Sequence, residues 1–423
     1  MTGQASPIAP HERIFALDAI RGVALLGIFA MNMPMLAGPF FQSPSPVERW
    51  PAWWDRAAER LGDTLLSGKF NSMFSLLFAV GFTIQLERLE ARDPERAMRI
   101  YLRRLAVLFV IGALHAGLLW TGDVLHLYAL LGLALLPLRR ARERWLWGVA
   151  ALCLVYPVVL GVHALYTRTA ADVAEFIEFV RVMEAGSDAA HGRGSFIDAV
   201  RENLHEMAAV HTHAHTLRGE SMFIAQLGTT LALGLVLGRR RFFQRAGEHL
   251  GALARAQRWL FAIGLGTGAV FAVWAASVRG PQLPTPFGVF AQTCYNLSRV
   301  AIMGFYMATI VRAAHSESWR RRLAPVAAAG RMPLTNYLMQ SLIATFLFYG
   351  WGLGLWRTVG PALQLALAVG VFFLVQVPLS VLWLRHFELG PMEHLWRRLS
   401  YGRVRSVFWP GRHVLAAQRP EQR

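Results

Sequence analysis

The sequence predicts an all-α membrane protein: a polytopic transmembrane helix bundle of about ten helices, with both termini in the cytoplasm. Three observations predict it. The chain is 55% hydrophobic and 16% charged, where soluble domains carry about 25% charged residues. Apolar runs able to cross a core of roughly 30 Å recur from end to end. The basic residues then sort into alternate loops.

The runs lie at about 15–36, 70–86, 101–121, 123–138, 146–166, 221–238, 259–278, 287–311, 333–350 and 361–384, the fourth being short. With the N-terminus inside, the inner segments hold RLEARDPERAMRIYLRR, RRARER, GRRRFFQRAGEHLGALARAQR, RAAHSESWRRRLAPVAAAGR and an Arg-rich tail. The outer segments are 37–69, a TGD turn, 167–220, RGPQLPTP and a Gly-rich link near 351–360. Of the 43 Lys and Arg, 30 fall inside, 11 outside, and Arg21 and Arg299 within spans. That asymmetry sets the orientation. It also accounts for the net charge of +17 without a nucleic-acid partner.

Between the fifth and sixth runs, AADVAEFIEFVRVMEA and FIDAVRENLHEMAAV read as two amphipathic helices separated by GSDAAHGRGS. They form an outer cap at about 167–220, within an N-terminal half (1–240) that precedes a C-terminal transmembrane region and basic tail (241–423). MTGQASPIAPHER lacks the basic region of a cleavable signal peptide, so none is expected. Cys153 and Cys294 sit in apolar runs and offer no disulfide or metal spacing.

Charged groups inside a span cost on the order of 3 kcal/mol each, which singles out a few residues. Asp18 and Arg21 share a face of the first helix and can pair. Asn32, eleven residues beyond Arg21, returns to nearly the same azimuth roughly 16 Å further on. This polar stripe is either an ion pair with helix–helix glue or one wall of a passage. Gly22, Ala24 and Gly27 permit close helix approach there. In HAGLLWTGDVLHLYA a tight turn forces a hairpin; Asp123 and His126 share a face, and His115 sits about two turns below the outer surface. The three converge near the depth of Asn32, and an imidazole beside a carboxylate is oriented and more basic.

Arg299 falls near mid-span with Asn296 one turn away, and needs an interior partner: Asp18 or a bound anion. Asn336 and Gln340, with Thr335 and Ser341, lie along the ninth span, where helix–helix hydrogen bonding is the ordinary role. HTHAH (His211, His213, His215), near His205 and Glu206, has no closed ligand set, so a solvated loop and no metal are expected.

LDAIRGVALLGIFAMNM, KFNSMFSLLFAVGFTIQLERLE, GALHAGLLWTGDVLHLYALLGL, GRMPLTNYLMQSLIATFLFYGWGLGL and GPMEHLWRRLSY together resemble the YeiB-like family of bacterial inner-membrane proteins, in the family's order and over nearly the whole chain. The family's C-terminal region is a domain of unknown function. The LDxxRGxA opening is also similar, more distantly, to transmembrane acyltransferases such as heparan-alpha-glucosaminide N-acetyltransferase and bacterial sugar O-acyltransferases. That resemblance implies acyl-CoA as co-substrate, with no bound cofactor, and an acyl group passed to a small-molecule, glycan or lipid acceptor outside. Asn32 matches the Asn version of the pattern, with ten residues between it and the Arg; Ser43, after ten more, stands where the heparan enzyme has its His. His115 or His126, oriented by Asp123, then has to supply the base, Asn32 an oxyanion donor, and Asp18 and Arg21 the donor contacts. Arg299, Asn336 and Gln340 remain further binding candidates. A transporter or flippase of a small anion, lipid or metabolite, and a non-catalytic scaffold or sensor, are the alternatives. Oligomeric state is not legible.

Overall fold

The computed structural model describes residues 14–42, 49–278, 280 and 282–401, and within them not the side chain of His215. Ser43 lies outside the described residues. No strand occurs among them, and each of the ten apolar runs is helical. Among the described residues seven helices are long and apolar enough to cross a bilayer, with a shorter apolar helix at Leu125–Leu138. The protein is a multi-pass all-α bundle.

In chain order the helices are α1 (Phe15–Leu36), α2 (Trp53–Leu61), α3 (Lys69–Arg92), α4 (Pro94–Leu118), α5 (Leu125–Leu138), α6 (Glu143–Thr167), α7 (Ala170–Arg193), α8 (Phe196–Thr212) and α9 (Ala214–Arg239). There follow α10 (Leu250–Ser277), α11 (Pro286–Ala314), α12 (Glu317–Gly330), α13 (Pro333–Phe348), α14 (Pro361–Val371), α15 (Val377–His386) and α16 (Pro391–Tyr401). Single π-helical turns join α2 towards α3 (Gly62–Leu66) and α14 to α15 (Phe372–Gln376). Several starts follow from local chemistry. Pro occupies the first turn of α4, α11, α13 and α14, where a missing N–H costs nothing. Asp93 caps α4 and Thr285 caps α11.

Helix α1 is the central post. It is buried along most of its length and contributes Leu17, Ile20, Leu25 and Ile28 to a core shared with α3, α11, α12 and α13. The crossing with α12 depends on glycine. A Cβ on Gly22 would fall 2.1 Å from the Val326 carbonyl oxygen, and one on Gly330 would fall 1.9 Å from that of Asp18. Outer helices present apolar side chains to the surroundings, among them Leu152, Val155 and Val159 on α6 and Ile263 and Val273 on α10, as lipid-facing helices must.

The two ends differ. At one, arginines tie helix ends together: Arg139 to Glu90 at 3.0 Å, Arg240 to Glu143, and Arg104 over the Trp396 ring at 4.2 Å. At the other lies the cap of α7 and α8. Arg357, in the link after α13, pairs with Glu184 (2.7 Å) and Asp188 (2.6 Å) of α7, while its N–H donates to the Ala37 carbonyl at 2.8 Å.

Two details depart from the sequence reading. Residues 186–193, expected as a linker, continue α7, because a capping box of Ser195 and Asp198 places the break at Gly194. Part of the segment before 331, expected as an inner loop, is α12, an alanine-rich helix laid against α1.

Candidate active site

The α4–α5 turn brings two imidazoles onto one carboxylate. His115 Nδ1 lies 2.9 Å from Asp123 Oδ1, and His126 Nδ1 lies 2.8 Å from Oδ2, which also accepts the His126 backbone N–H at 3.1 Å. The pairing requires helices in near contact, and Gly112 provides it: its Cβ position is 2.3 Å from the His126 nitrogen. An ionised Asp123 can only accept, so each imidazole presents Nδ1–H to it and keeps the Nε2 lone pair. Nε2 of His115 is buried with no hydrogen-bond partner. A carboxylate-held imidazole with a free Nε2 is the arrangement of a general base. Tyr337 of α13 completes the group; its hydroxyl donates to Asp123 Oδ1 at 3.4 Å and its ring centroid is 5.1 Å from that of His115.

Tyr337 also lines a cavity of about 470 Å³. Arg21, Arg88, Arg92, Arg104, Arg331 and Arg397 line its mouth at the arginine-rich end. Ile28, Phe74, Leu77, Phe78, Leu108 and Leu125 line its interior, and Val124, Tyr128 and Tyr337 stand where it approaches Asp123. Asp18 and Arg21, paired at 2.9 Å, both face this space. Glu393 of α16 holds the mouth together by accepting from Leu334 N–H (2.6 Å), Thr335 N–H (3.1 Å) and the Thr335 hydroxyl (2.6 Å). Burial pushes the Glu393 carboxyl above the ordinary glutamate range.

The other sequence-predicted residues lie elsewhere. Asn32 is buried on α1, one turn beyond Ile28, and makes no hydrogen bond to the His–Asp group. Arg299 does not reach Asp18, the pairing offered from sequence. Its Nη1 donates to the Ser72 hydroxyl and, at 3.3 Å, to the Gln226 carbonyl, because the middle of α11 packs on α3 here, while its later residues, Met307 to Ala314, share the core with the start of α1. Asn336 and Gln340 are bonded between helices. Asn336 Nδ2 donates to the Ala329 carbonyl and Ser380 (3.0 Å each), and Gln340 Nε2 to Gln376 Oε1 (2.9 Å) and the Leu25 carbonyl (3.3 Å). His211 pairs with Glu220 at 2.8 Å, its ring 5.6 Å from that of His126. Among the described residues no group of three or more His, Cys, Asp or Glu is placed to hold a metal ion.

Residues 237–403 match the family model described as "Protein of unknown function (DUF418)". The chain is 31% identical over 409 residues to "Uncharacterized protein YxaH" of Bacillus subtilis (strain 168), covering 93% of this chain and 96% of that one. It is 30% identical over 412 residues to "Uncharacterized protein YeiB" of Escherichia coli (strain K12), covering 92% and 96%. The chain belongs to the YeiB-like family. No solved structure matches it. The five sequence blocks that carry the family resemblance all supply walls of the one cavity: Arg21 from the first, Phe74 from the second, Leu125 from the third, Tyr337 from the fourth and Trp396 from the fifth.

In this YeiB-like fold the cap closes over a second buried polar group. Glu206 accepts a hydrogen bond from the Ser187 hydroxyl, and His191 Nε2 meets Asn203 Oδ1 at 3.1 Å. Asn203 reaches down to the α4–α5 turn, its backbone carbonyl accepting from the Thr121 hydroxyl at 3.2 Å. Burial raises the Glu206 carboxyl to about 7 and lowers the His191 imidazole to about 4. Both favour the uncharged form, as burial requires.

Sequence reasoning missed Tyr337 and Glu393; of the passage wall it offered, Asp18 and Arg21 line the cavity and Asn32 does not. Tyr337 stands inside the quoted LTNYLMQ run, where it counts as apolar in any hydropathy sum. Only its hydroxyl, one residue after Asn336, signalled a polar contact.

Proposed function

We propose that this protein is an acyltransferase of the bacterial inner membrane that takes an acyl group from acyl-CoA at its arginine-rich, cytoplasmic end and delivers it to an acceptor entering from the cap side. The single observation behind this reading is the cavity whose arginine mouth and apolar interior lead to Tyr337 and the His115–Asp123 pair. The arginines suit the phosphates of CoA. The apolar interior suits an acyl chain.

In this reading Tyr337 turns aside to admit the thioester. His115 Nε2 takes the proton from an acceptor hydroxyl or amine as that group attacks the thioester carbonyl. Collapse of the tetrahedral intermediate breaks the C–S bond, and the departing thiolate receives the proton from His115. Asp123 holds the ring and balances the imidazolium charge between the two steps.

The test is acyl-CoA binding and CoA release by purified protein in nanodiscs, with acetyl and longer acyl donors. The reading expects binding that weakens in Arg21→Ala, and release that disappears in His115→Ala while binding remains. Binding without release under any acceptor mixture would replace acyl transfer with transport. Absence of binding would sink both roles for the cavity.

A further inference from the structure

Two cations lie buried on the far side of α3 from the cavity. Arg299 and Lys69 are each 1% exposed, and neither forms an ion pair with a described carboxylate. Lys69 spends one donor on the Asp63 backbone carbonyl at 3.0 Å and lies 4.9 Å from the Tyr295 ring centroid. Arg299 gives its Nη1 to Ser72 and Gln226, while its Nε is buried with no partner at all. The Asp63 carboxylate answers part of the Lys69 charge through space, but a guanidinium is always charged and no described carboxylate answers Arg299 in the same way.

The backbone adds to the same feature. Helix α3 begins at Lys69 after Gly68, whose φ of +73° is left-handed, and no side chain caps that N-terminus. A Cβ at Gly68 would fall 2.8 Å from the Tyr295 hydroxyl and 2.9 Å from Arg299 Cδ, so the first turn of α3 is drawn against the guanidinium. Uncapped N–H groups and the positive end of the helix point the same way as the two cations. A second cavity, of about 280 Å³ between α6, α9, α10 and α11, has Asn296 in its wall. Asn296 accepts from the Gln226 side chain at 3.2 Å, and the Gln226 carbonyl accepts from Arg299. That chain of contacts ties the cluster to the wall of the second cavity rather than to the arginine-lined mouth.

We infer that Arg299, Lys69, Ser72 and the start of α3 form a binding site for a phosphate-class oxyanion, independent of the acyl-transfer reading. The oxyanion takes Nε–H of Arg299, a free N–H of Lys69 and the first-turn amides of α3, matching donors that diverge around a tetrahedral group. A free phosphate and the phosphate of an anionic lipid headgroup offer the same chemistry.

Delipidated protein titrated with inorganic phosphate at constant ionic strength tests it, read by calorimetry and by thermal midpoint. Saturable binding is expected in the wild type and in Arg181→Gln, which removes a cation from the exposed face of the cap. Arg299→Gln and Lys69→Gln are expected to bind at least about tenfold more weakly, the loss of one charge-assisted hydrogen bond. Ser72→Ala keeps both charges and is expected to weaken binding several-fold, which preserves the test if Arg299→Gln does not fold. In a second arm, native mass spectrometry follows phosphatidate retained from nanodiscs. Retention lost in Lys69→Gln and Ser72→Ala identifies a lipid source; phosphate binding without retention identifies a soluble one. Phosphate binding that is absent from the wild type together with no retained phosphatidate, or binding equal in all variants, overturns the site.

Discussion

Around α13, Asn336, Gln340, Gln376 and Ser380 trade hydrogen bonds with one another and with the Leu25 and Ala329 carbonyls. At the α4–α5 turn, His115 and His126 converge on a single carboxylate and His115 Nε2 is left over. Both groups are buried and both are polar. The first leaves over only an amide oxygen, Oδ1 of Asn336, which has no proton to move. The second leaves over an imidazole lone pair backed by Asp123, which is a base. Burial of polarity alone therefore says little about chemistry. What remains unpaired, and what it is paired to on its other side, says more.

The comparison can be pressed hardest at Asp123. Asp123→Asn keeps the shape but loses the charge that fixes both imidazoles, and CoA release is expected to fall by roughly 10³–10⁴ with acyl-CoA affinity little changed. A drop of less than about tenfold would make the His–Asp group structural, like the amides.

Gln340→Ala is the opposite case. It leaves Gln376 short of a partner and is expected to cost about 1–3 kcal/mol in equilibrium unfolding, without altering turnover per folded molecule. A selective loss of turnover would place Gln340 among the reacting groups.

Glu206 in the cap offers a test through pH. Its carboxyl lies at about 7 when folded, against an ordinary 4.5, so the folded protein binds this proton more tightly than the unfolded chain. The stabilisation is complete below 4.5 and is lost as pH rises through about 7. Glu206→Gln retains a neutral partner for Ser187. Melting curves of wild type and variant should run parallel at low pH and diverge in favour of the variant between those limits.

The smallest effect is expected at the cap's clasp. Arg357→Ala removes two pairs of a half-buried guanidinium and is expected to cost about 1 kcal/mol or less. Hydrogen exchange should quicken in α7 while the α4–α5 turn stays protected. Equal quickening at the turn would mean that cap and turn open as one unit.

Much of this was legible in the sequence because it is local. Periodicity placed the apolar runs, and the spacing of Asp123 and His126, with a turn too tight for anything but a hairpin, brought His115 to them. Gly22 was marked for close approach and meets Val326. What escaped depends on which helix packs on which. Arg299 turned to Ser72 and Gln226, contacts spanning 227 and 73 residues, which no local pattern encodes. Helix α12 was hidden because its arginines resemble a basic loop, and its alanines matter only once α1 lies beside them. Tyr337 and Glu393 were passed over for the same reason: each acquires its role from α5 or α13, and nothing adjacent in sequence announces it.

The burial of α1 has a consequence in time. A chain made from its N-terminus delivers this helix to the bilayer first, yet its neighbours in α12, α13 and α14 are among the last to be synthesised. Asp18 and Arg21 therefore wait for these neighbours until some three hundred further residues have followed. Their mutual ion pair is the one shield the helix carries with it. Assembly ends where translation began, and a ribosome that stops short of α12 leaves the post of the bundle with only part of its walls.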